Sequence, residues 1–244
     1  MSSYRIIVRN SPNWRQQSAA TLGISVTSPN WQGEKFASIL DFAASNFGVI
    51  RIDVTDALYR HNFMGEGKNP EQALAQANAL GALWLAQHQN ILDMCPIKPQ
   101  VIRWSEWYKH PDFQDTLVGF QRAHEVSPIL REAVYNDVME FYRRQNTQPS
   151  LSEVEHGGDY LIEELAVATL QARALPSVKI YPGDELTCMR IVRGGLVLEA
   201  PKGLEREQFA KIKFEKRQQI PAITPTEPQD TAPIPMVGTV LAAG

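Results

Sequence analysis

The sequence predicts an α/β fold, a Rossmann-like parallel sheet of the doubly wound type with helices on both faces. Short segments rich in β-branched residues alternate with longer segments whose apolar residues recur at helical spacing, almost as far as residue 200. The chain has 244 residues, of which 43% are hydrophobic, so it can bury the core of one large domain. We therefore expect a single Rossmann-like domain over residues 1–218.

The first half of the chain contains a strand–helix–strand unit. Three segments have the composition of strands: residues 4–10, 18–26 and 47–54. Between the last two, four apolar residues recur at helical spacing: Phe36, Ile39, Leu40 and Ala43. Strand, helix and strand within about thirty residues indicate a βαβ unit with parallel strands.

The remaining elements continue this alternation. Residues 69–92 predict a long helix with Pro70 in its first turn. Two further segments predict helices: residues 116–145, broken at Pro128, and residues 151–172, interrupted at Gly157 and Gly158. Three segments have the character of strands: residues 99–107, 177–184 and 186–195.

The last residues differ from the rest in composition. Residues 219–244 are rich in proline, and we expect them to form a mobile C-terminal tail. The tetrapeptide SPNW occurs at residues 11–14 and 28–31 without any longer repeat around it. Serine followed by proline is a common helix start, so we interpret both copies as local capping chemistry.

Composition excludes several classes of protein. The net charge of −3 gives no sign of a nucleic-acid partner, although a local basic patch is enough to bind phosphates. Two cysteines are too few for a disulfide framework, which favours a cytoplasmic protein. No apolar run approaches the roughly 20 residues that a membrane span needs, and the N-terminus lacks the apolar core of a signal peptide.

Several catalytic motifs are absent from the sequence. There is no GxGxxG after a strand, which disfavours a dinucleotide oxidoreductase, and there is no Walker loop or HExxH. The segment GISVT lacks the second glycine of a nucleophile elbow. The five histidines are scattered singly, so none is nominated as a catalytic base. His61 has no second histidine at metal-binding spacing, so we interpret it as structural and expect no metal.

The candidate site follows from the predicted topology, because ligands of doubly wound folds lie beyond the carboxyl ends of the strands. Five residues fall at such ends: Gly23, Ser25, Asp53, Tyr181 and Pro182. Tyr160 and Glu164 are four residues apart and share one face of the 151–172 helix. Each feature alone is more typical of a turn residue or a surface contact than of a site.

Together these features resemble a family. LGIS (22–25) is followed, three residues after its serine, by Ser28, then by DALYRHN (56–62), YLIEE (160–164) and IYP (180–182). This ordered set resembles the tRNA-dependent cyclodipeptide synthases and covers residues 18 to about 190. One subgroup of that family carries a variable residue, Tyr and Pro at three marker positions, and here these are Ser28, Tyr181 and Pro182.

The resemblance implies a catalytic domain akin to that of class I aminoacyl-tRNA synthetases. It also implies that two ready-made aminoacyl-tRNAs are the substrates and that ATP is not used. The absence of HIGH and KMSKS signatures fits this implication. We expect no cofactor, no metal and a monomeric enzyme.

The resemblance also implies residue roles. Ser25 would form an aminoacyl-enzyme and then a dipeptidyl-enzyme that cyclises to a diketopiperazine. Tyr160 and Glu164 would hold the α-ammonium, with Glu164 as the available base, and Tyr181 would relay a proton during cyclisation. Four residues are expected to bind substrate: Gly23, Ser28, Val54 and Pro182. Gly23 would do so by leaving room for the aminoacyl backbone. The pocket for the first residue would be lined from around Gly23, Val54 and the helix over residues 160–168, and these small to apolar residues favour an aliphatic or aromatic first residue.

The site of tRNA docking is a departure from the family. Some members have a very basic helix after the third strand, whereas residues 69–92 contain no Lys or Arg. Five basic residues are candidates instead: Lys98, Arg103, Lys109, Lys211 and Lys213. Glutamates interleave the basic residues of 202–217, so a solvated amphipathic helix is an equally good interpretation of that segment.

Two other functions stay open at this point. The chain could be an aminoacyl-tRNA-dependent transferase with a different acceptor, or a non-catalytic tRNA-binding module of the same fold. The joint presence of Ser25, Tyr160, Glu164 and Tyr181 argues against the binding module, because binding alone needs no nucleophile.

Overall fold

The computed structural model describes residues 3–9 and 13–217. The predicted tail at residues 219–244, and the Ser-Pro start of the first SPNW copy, lie outside these residues. In the described part, no helix is both long enough and apolar enough to span a membrane.

One sheet of six strands runs through the domain. The strands are β1 Tyr4–Arg9, β2 Ala19–Ile24, β3 Val49–Val54, β4 Gln100–Arg103, β5 Val178–Tyr181 and β6 Gln208–Lys216. The helices are α1 Gly33–Asn46, α2 Arg60–Gly65, α3 Pro70–Asp93, α4 Trp104–Trp107, α5 Phe113–Val126, α6 Pro128–Arg144, α7 Leu151–Ala174 and α8 Thr187–Arg193.

The strand order is that of a doubly wound fold. Across the sheet it reads β1-β6-β5-β2-β3-β4, with β1 antiparallel to β6 and all other neighbours parallel. The chain builds outward from β2 through β3 to β4, and then returns to the other side of β2 for β5 and β6. The direction of winding therefore reverses between β2 and β5, and ligands of such folds bind beyond the carboxyl ends of the strands at this point.

The two faces of the sheet differ in chemistry. On one face, side chains of the parallel strands pack in an apolar core with α1 and α3: Leu22, Ile24, Ile50, Ile52, Val54 and Ile180. Alternate residues of the same strands point to the α7 face: Thr21, Gly23, Arg51, Asp53 and Lys179. Polar groups thus collect beneath α7, whereas the opposite face is apolar.

Helix α7 begins with a capping box and runs without a break. The Ser150 hydroxyl accepts from the backbone N–H of Glu153, whose carboxylate accepts from the backbone N–H of Ser150. The predicted interruption at Gly157 and Gly158 is wrong. A Cβ at Gly157 would lie 2.9 Å from Val138 Cγ1, so this glycine lets α6 pack closely against α7.

Three other predicted segments also differ from the structure. Residues 99–107 form a strand only over Gln100–Arg103, because the chain turns into α4 at Trp104. Residues 186–195 form helix α8 rather than a strand, and the Asp137 carboxylate accepts from the first two backbone N–H groups of α8. Residues 202–217 are not an amphipathic helix, since residues 208–216 form β6.

Candidate active site

A cavity of about 520 Å³ opens where the sheet reverses its winding. Its walls come from the ends of β2, β3 and β5, from the segment after β2, and from α6, α7 and α8. Six of the predicted site residues line it: Gly23, Ser25, Ser28, Tyr160, Glu164 and Tyr181. Residues far apart in sequence are thus brought together at the place where the fold binds ligands.

Ser25 directly follows β2, at the carboxyl end of a central strand. It is half-buried, and its carbonyl accepts from the Ser28 N–H in a turn that closes this end of β2. The Ser28 hydroxyl accepts from the Asn30 N–H and so caps a short 3₁₀ turn that leads into α1. Among the described residues that line the cavity there is no histidine, so Ser25 has no Ser–His pair of the hydrolase kind.

Tyr160 and Glu164 project from α7 into the cavity, and Tyr181 faces them from the end of β5. Burial and the Glu164 charge raise the pKa of Tyr160 well above its usual value, against the opposing effect of a hydrogen bond with Thr55. The same two causes raise the pKa of Tyr181. Both side chains are therefore neutral phenols at neutral pH, able to donate as well as accept hydrogen bonds.

Lys179 is a cavity residue that the sequence analysis missed. Its Nζ lies 3.3 Å from Glu164 Oε1, and both side chains are largely buried. Burial alone would lower the pKa of Lys179, but the Glu164 and Glu207 carboxylates outweigh it and raise that pKa. Lys179 is therefore a fixed positive charge beside Glu164 rather than a base.

Gly23 lies on the cavity floor next to the stem of Lys179. A Cβ at Gly23 would come within ordinary contact distance, 3.5 Å, of Lys179 Cε and would clash with no other described group. Such a Cβ would instead occupy space in the cavity, because Gly23 lines it. The space that a glycine leaves here is consequently available to a ligand.

Thr21 and Asp53, which also line the cavity, belong to a buried polar network. Arg51 Nε donates to Asp53 Oδ2 at 3.1 Å, and Arg51 also donates to the Thr21 hydroxyl at 3.0 Å. Trp107 Nε1 donates to the other oxygen of Asp53 at 3.2 Å. Burial raises the pKa of Asp53 despite the opposing guanidinium of Arg51. The bond from Arg51 to Thr21 therefore joins β3 to β2, and the bond from Trp107 joins α4 to β3.

A match to a protein-family model identifies the family of this chain. The family model described as cyclodipeptide synthase matches residues 10–179. The chain belongs to the cyclodipeptide synthase family. The predicted family and enzyme class, a tRNA-dependent aminoacyltransferase, are thereby confirmed. None of the curated proteins matches the chain.

Solved structures of cyclodipeptide synthases have the same fold. The enzyme from Fluoribacter dumoffii is 20% identical and superposes with a TM-score of 0.76 over 88% of this chain and 100% of its own. A Mycobacterium tuberculosis protein, described as demonstrating that cyclodipeptide synthetases are related to type I tRNA synthetases, is 14% identical with a TM-score of 0.68, over 88% and 94% of the two chains. The synthase from Candidatus Glomeribacter gigasporarum, bound to Phe-tRNAPhe, is 18% identical with a TM-score of 0.65, over 86% and 93%. The predicted Rossmann-like fold is confirmed.

In this cyclodipeptide synthase family member, the neighbour of Glu164 on α7 has a different environment. Glu163 is 3% exposed and accepts hydrogen bonds from four side chains: Arg60, His61, Trp104 and Tyr108. Burial would raise the pKa of Glu163, but the bonds to His61 and Arg60 outweigh it and hold that pKa at about 2. Glu163 is therefore a buried anion that ties α7 to α2 and α4.

Some predicted residues do not reach the cavity. Val54 is fully buried on the opposite face of the sheet, because side chains alternate along β3 and Asp53 takes the α7 face. Pro182 follows β5 but is not among the lining residues. Arg103 is held by the buried carboxylate of Asp56, at 2.6 Å, and by the Asn78 carbonyl.

The predicted basic residues fall at two ends of the sheet. Lys98 precedes β4 and lies at the amino end of the parallel strands, away from the cavity. Lys109 is exposed and pairs with Glu106 at 2.9 Å. Lys211 is paired with Tyr181 in the register of β5 and β6, and its side chain forms an ion pair with Asp184, which lines the cavity. Lys213 lies two residues further along β6, beyond the end of β5.

A period of two along the strands is the signal that would have found the missed residues. In β2, β3 and β5, polar or small residues occur at every second position, in the pairs Thr21/Gly23, Arg51/Asp53 and Lys179/Tyr181. A strand that is covered on both faces in a parallel sheet usually reads as continuously apolar. Polar residues at alternate positions in three such strands therefore indicate a polar site on one face.

Proposed function

We propose that the chain joins two aminoacyl groups, taken from two aminoacyl-tRNAs, into a cyclic dipeptide through esters on Ser25. The observation that carries this proposal is that Ser25, Tyr160, Glu164 and Tyr181 line one cavity at the winding reversal of a cyclodipeptide synthase family member. Phe-tRNAPhe bound to the Candidatus Glomeribacter gigasporarum synthase supports aminoacyl-tRNA as the substrate class.

In the first transfer, Ser25 Oγ attacks the ester carbon of the first aminoacyl-tRNA. The Oγ–acyl bond forms, the bond from the acyl carbon to the ribose oxygen breaks, and the hydroxyl proton ends on that ribose oxygen. An aminoacyl ester is already activated, so the transfer needs no ATP. The space over Gly23 accommodates the aminoacyl backbone beside Ser25.

Tyr160 and Glu164 then bind the α-ammonium of the acyl group. Glu164 supplies the negative charge and Tyr160, as a neutral phenol, supplies a hydrogen-bond acceptor. The ammonium joins Lys179 at this carboxylate, since Lys179 Nζ already lies 3.3 Å from Glu164 Oε1. Two cations beside one carboxylate repel each other, so the presence of Lys179 favours loss of a proton from the α-ammonium. Glu164, the available base, takes that proton and releases it to solvent.

In the second transfer, the neutral amine attacks the ester carbon of the second aminoacyl-tRNA. A peptide bond forms, the second ribose oxygen leaves with a proton, and a dipeptidyl ester remains on Ser25. The free amine of this dipeptide then attacks the Ser25 ester carbon, which releases the diketopiperazine and restores the serine. Tyr181, a neutral phenol across the cavity from Tyr160, relays the amine proton toward Ser25 Oγ.

We assign the chain to the subgroup with variable, Tyr and Pro markers. Ser28 lines the cavity and caps the turn after Ser25, and Tyr181 ends β5 with Pro182 directly after it. Because proline has no group that transfers protons, Tyr181 is left as the side chain of this marker pair that can act in cyclisation.

We infer that the tRNA lies along the ribbon formed by β1 and β6. This ribbon carries five basic side chains, Arg5, Arg9, Lys211, Lys213 and Lys216, against one acidic side chain, Glu215, and Arg217 follows β6 directly. In the register Lys211 is paired with Arg9, and Lys213 and Lys216 continue past the end of β5, toward the side of the sheet that holds the cavity. Basic side chains along an exposed edge suit the phosphates of a tRNA whose acylated end enters that cavity.

The reaction product tests this function. The purified chain is incubated with tRNAs charged by a mixture of synthetases, and the mixture is analysed by mass spectrometry for diketopiperazines. We expect a diketopiperazine with the wild-type chain and none with Ser25→Ala. A linear product that depends on an added acceptor would overturn the proposal in favour of a transferase.

A further inference from the structure

Three potential metal ligands meet where α2 packs against α7. His61 comes from α2, while His156 and Asp159 are three residues apart on α7 and so share a face of that helix. One imidazole nitrogen of each histidine and one oxygen of Asp159 all lie within 4.8 Å of one another. His156 Nδ1 and Asp159 Oδ2 are 3.4 Å apart. The two histidines are 95 positions apart in the chain, so no sequence spacing could have revealed them.

The hydrogen bonding of His61 determines which of its nitrogens can bind a ligand. His61 Nε2 lies 3.1 Å from Glu163 Oε2. An ionised carboxylate can only accept, so Nε2 carries a hydrogen, and in the neutral imidazole Nδ1 is then the nitrogen with the lone pair that a metal needs. A metal-binding histidine usually donates its other ring N–H to a carboxylate, which is the arrangement that Glu163 provides.

Among the described residues, the Nδ1 atom of each of these two histidines lacks a hydrogen-bond partner, although that of His156 faces Asp159 Oδ2 at 3.4 Å. Within the described part of the chain, His61 Nδ1 and His156 Nδ1 are both buried and neither has a hydrogen-bond partner. His61 as a whole is only 7% exposed. A buried polar atom without a partner is costly, so two of them within one small cluster call for a bound group that both can contact.

We propose that His61, His156 and Asp159 bind a divalent transition-metal ion, with Zn²⁺ as the best match. Two imidazoles and a carboxylate suit Zn²⁺ in chemistry, whereas Mg²⁺ and Ca²⁺ prefer oxygen ligands alone. Tetrahedral zinc with bonds of about 2.0–2.1 Å holds its ligand atoms about 3.3–3.4 Å apart. The separation of 3.4 Å between His156 and Asp159 already meets this requirement. Asp159 is exposed, so the ion can enter from solvent and keep a water as its fourth ligand.

The ion would clip α2 to α7 directly beside the cavity. Asn62, next to His61, and Tyr160, next to Asp159, both line the cavity wall. Occupancy of the site would therefore stabilise that wall. None of the three ligands takes part in the reaction proposed above, so the ion can bind whether or not that reaction occurs.

Metal titration tests the proposal on the full chain. The protein is stripped with a chelator, dialysed, and titrated with ZnCl₂ by calorimetry, and its melting temperature is measured with and without Zn²⁺. We expect one equivalent to bind, the melting temperature to rise, and Mg²⁺ to produce neither effect. Absence of stoichiometric Zn²⁺ binding would overturn the proposal.

Three variants locate the ion. His156→Ala and Asp159→Asn each should weaken Zn²⁺ binding at least tenfold, and both positions are accessible enough for the fold to tolerate the change, as circular dichroism would verify. His110→Ala, just after α4, is the control, because His110 makes its contacts with Asp112 and Trp107 rather than with the proposed ligands, and this variant should bind Zn²⁺ like the wild type. Equal binding by the wild type and both site variants would place the ion elsewhere and overturn the proposal. A Co²⁺-loaded sample provides a second readout, since tetrahedral coordination gives an intense visible band that His156→Ala should abolish.

Discussion

Two neighbouring carboxylates on α7, Glu163 and Glu164, have opposite environments. Glu163 accepts hydrogen bonds from four side chains in a buried cluster, and it does not line the cavity. Glu164 faces the cavity and has one cationic partner, Lys179 at 3.3 Å. A carboxylate whose hydrogen bonds are all made within the protein contributes to stability, whereas one with unused acceptor capacity in a cavity can bind a substrate. One step along a helix thus separates a structural residue from a candidate catalytic one.

The largest effect on activity is expected from Glu164→Gln. The variant loses the charge that holds the substrate ammonium, so diketopiperazine formation should fall about 100-fold or more. Its free energy of unfolding should fall by less than that of Glu163→Gln, because Glu164 accepts from one side chain, Lys179, whose charge Glu207 still offsets, whereas Glu163 accepts from four. Glu155→Gln, an exposed change on the same helix, is the control. Activity within a factor of two of the wild type would contradict the assigned role.

Glu163→Gln should have the reverse profile. It leaves the Arg60 cation without its buried partner, so the free energy of unfolding should fall by about 3 kcal/mol in a urea titration. Well-folded molecules of the variant should retain most of their activity at low temperature. A Glu163→Gln variant that is stable but inactive would show that Glu163, rather than Glu164, has the catalytic role.

The same comparison predicts a pH dependence of stability. The pKa of Glu163 in the folded chain is about 2, below its ordinary value of 4.5. The stabilisation from its ionised form is therefore complete above pH 4.5 and is lost as the pH falls toward 2. The difference in unfolding free energy between the wild type and Glu163→Gln should shrink over this interval. If this difference in unfolding free energy stayed constant from pH 6 to pH 3, the lowered pKa of Glu163 in the buried cluster would be contradicted.

Lys179→Met should change the second transfer in a pH-dependent way. Without the neighbouring cation the substrate ammonium holds its proton more tightly, so the apparent pKa of the step should rise by about one unit. At neutral pH the step should slow about tenfold, while acylation of Ser25 stays close to the wild-type rate. Lys179→Arg keeps the charge and should preserve the profile. An unshifted profile in Lys179→Met would rule out the electrostatic role.

The smallest effect is expected at the β1–β6 ribbon. Lys213→Ala should raise the KM for aminoacyl-tRNA about threefold and reduce the slope of log KM against log salt concentration by about 0.7–0.9, as expected for the loss of one phosphate contact. Lys98→Ala, at the opposite end of the sheet, should change neither quantity. A larger effect at Lys98 than at Lys213 would move the tRNA to the other side of the molecule.

The sequence contained much of the fold and of the candidate site. Capping residues and helical spacing predicted α1, α3, α5, α6 and α7, because these signals are local. Residues 186–195 were misjudged, since Cys188, Met189, Ile191 and Val192 are buried at helical spacing in a segment too short for that pattern to exclude a strand. Gly157 was interpreted as a helix break because the sequence does not reveal the close tertiary packing of α6 that requires a glycine there.

The site residues that were missed depend on three-dimensional neighbours. Lys179 is an ordinary strand residue until the sheet places it opposite Glu164 on α7. Glu163 and Glu164 are indistinguishable as letters, and only the packing of α2 and α4 against α7 separates them. Val54 was expected at the cavity, but its position in the alternation of β3 assigns it to the opposite core.

The ester on Ser25 provides the most direct test of the account. The wild-type chain is mixed with one kind of charged tRNA, quenched in acid, digested and analysed by peptide mass spectrometry. We predict an aminoacyl adduct that is labile to hydroxylamine, on the peptide that contains Ser25, and no adduct in Ser25→Ala. A chain that makes diketopiperazine without this adduct, or that carries an equal adduct in Ser25→Ala, would contradict it.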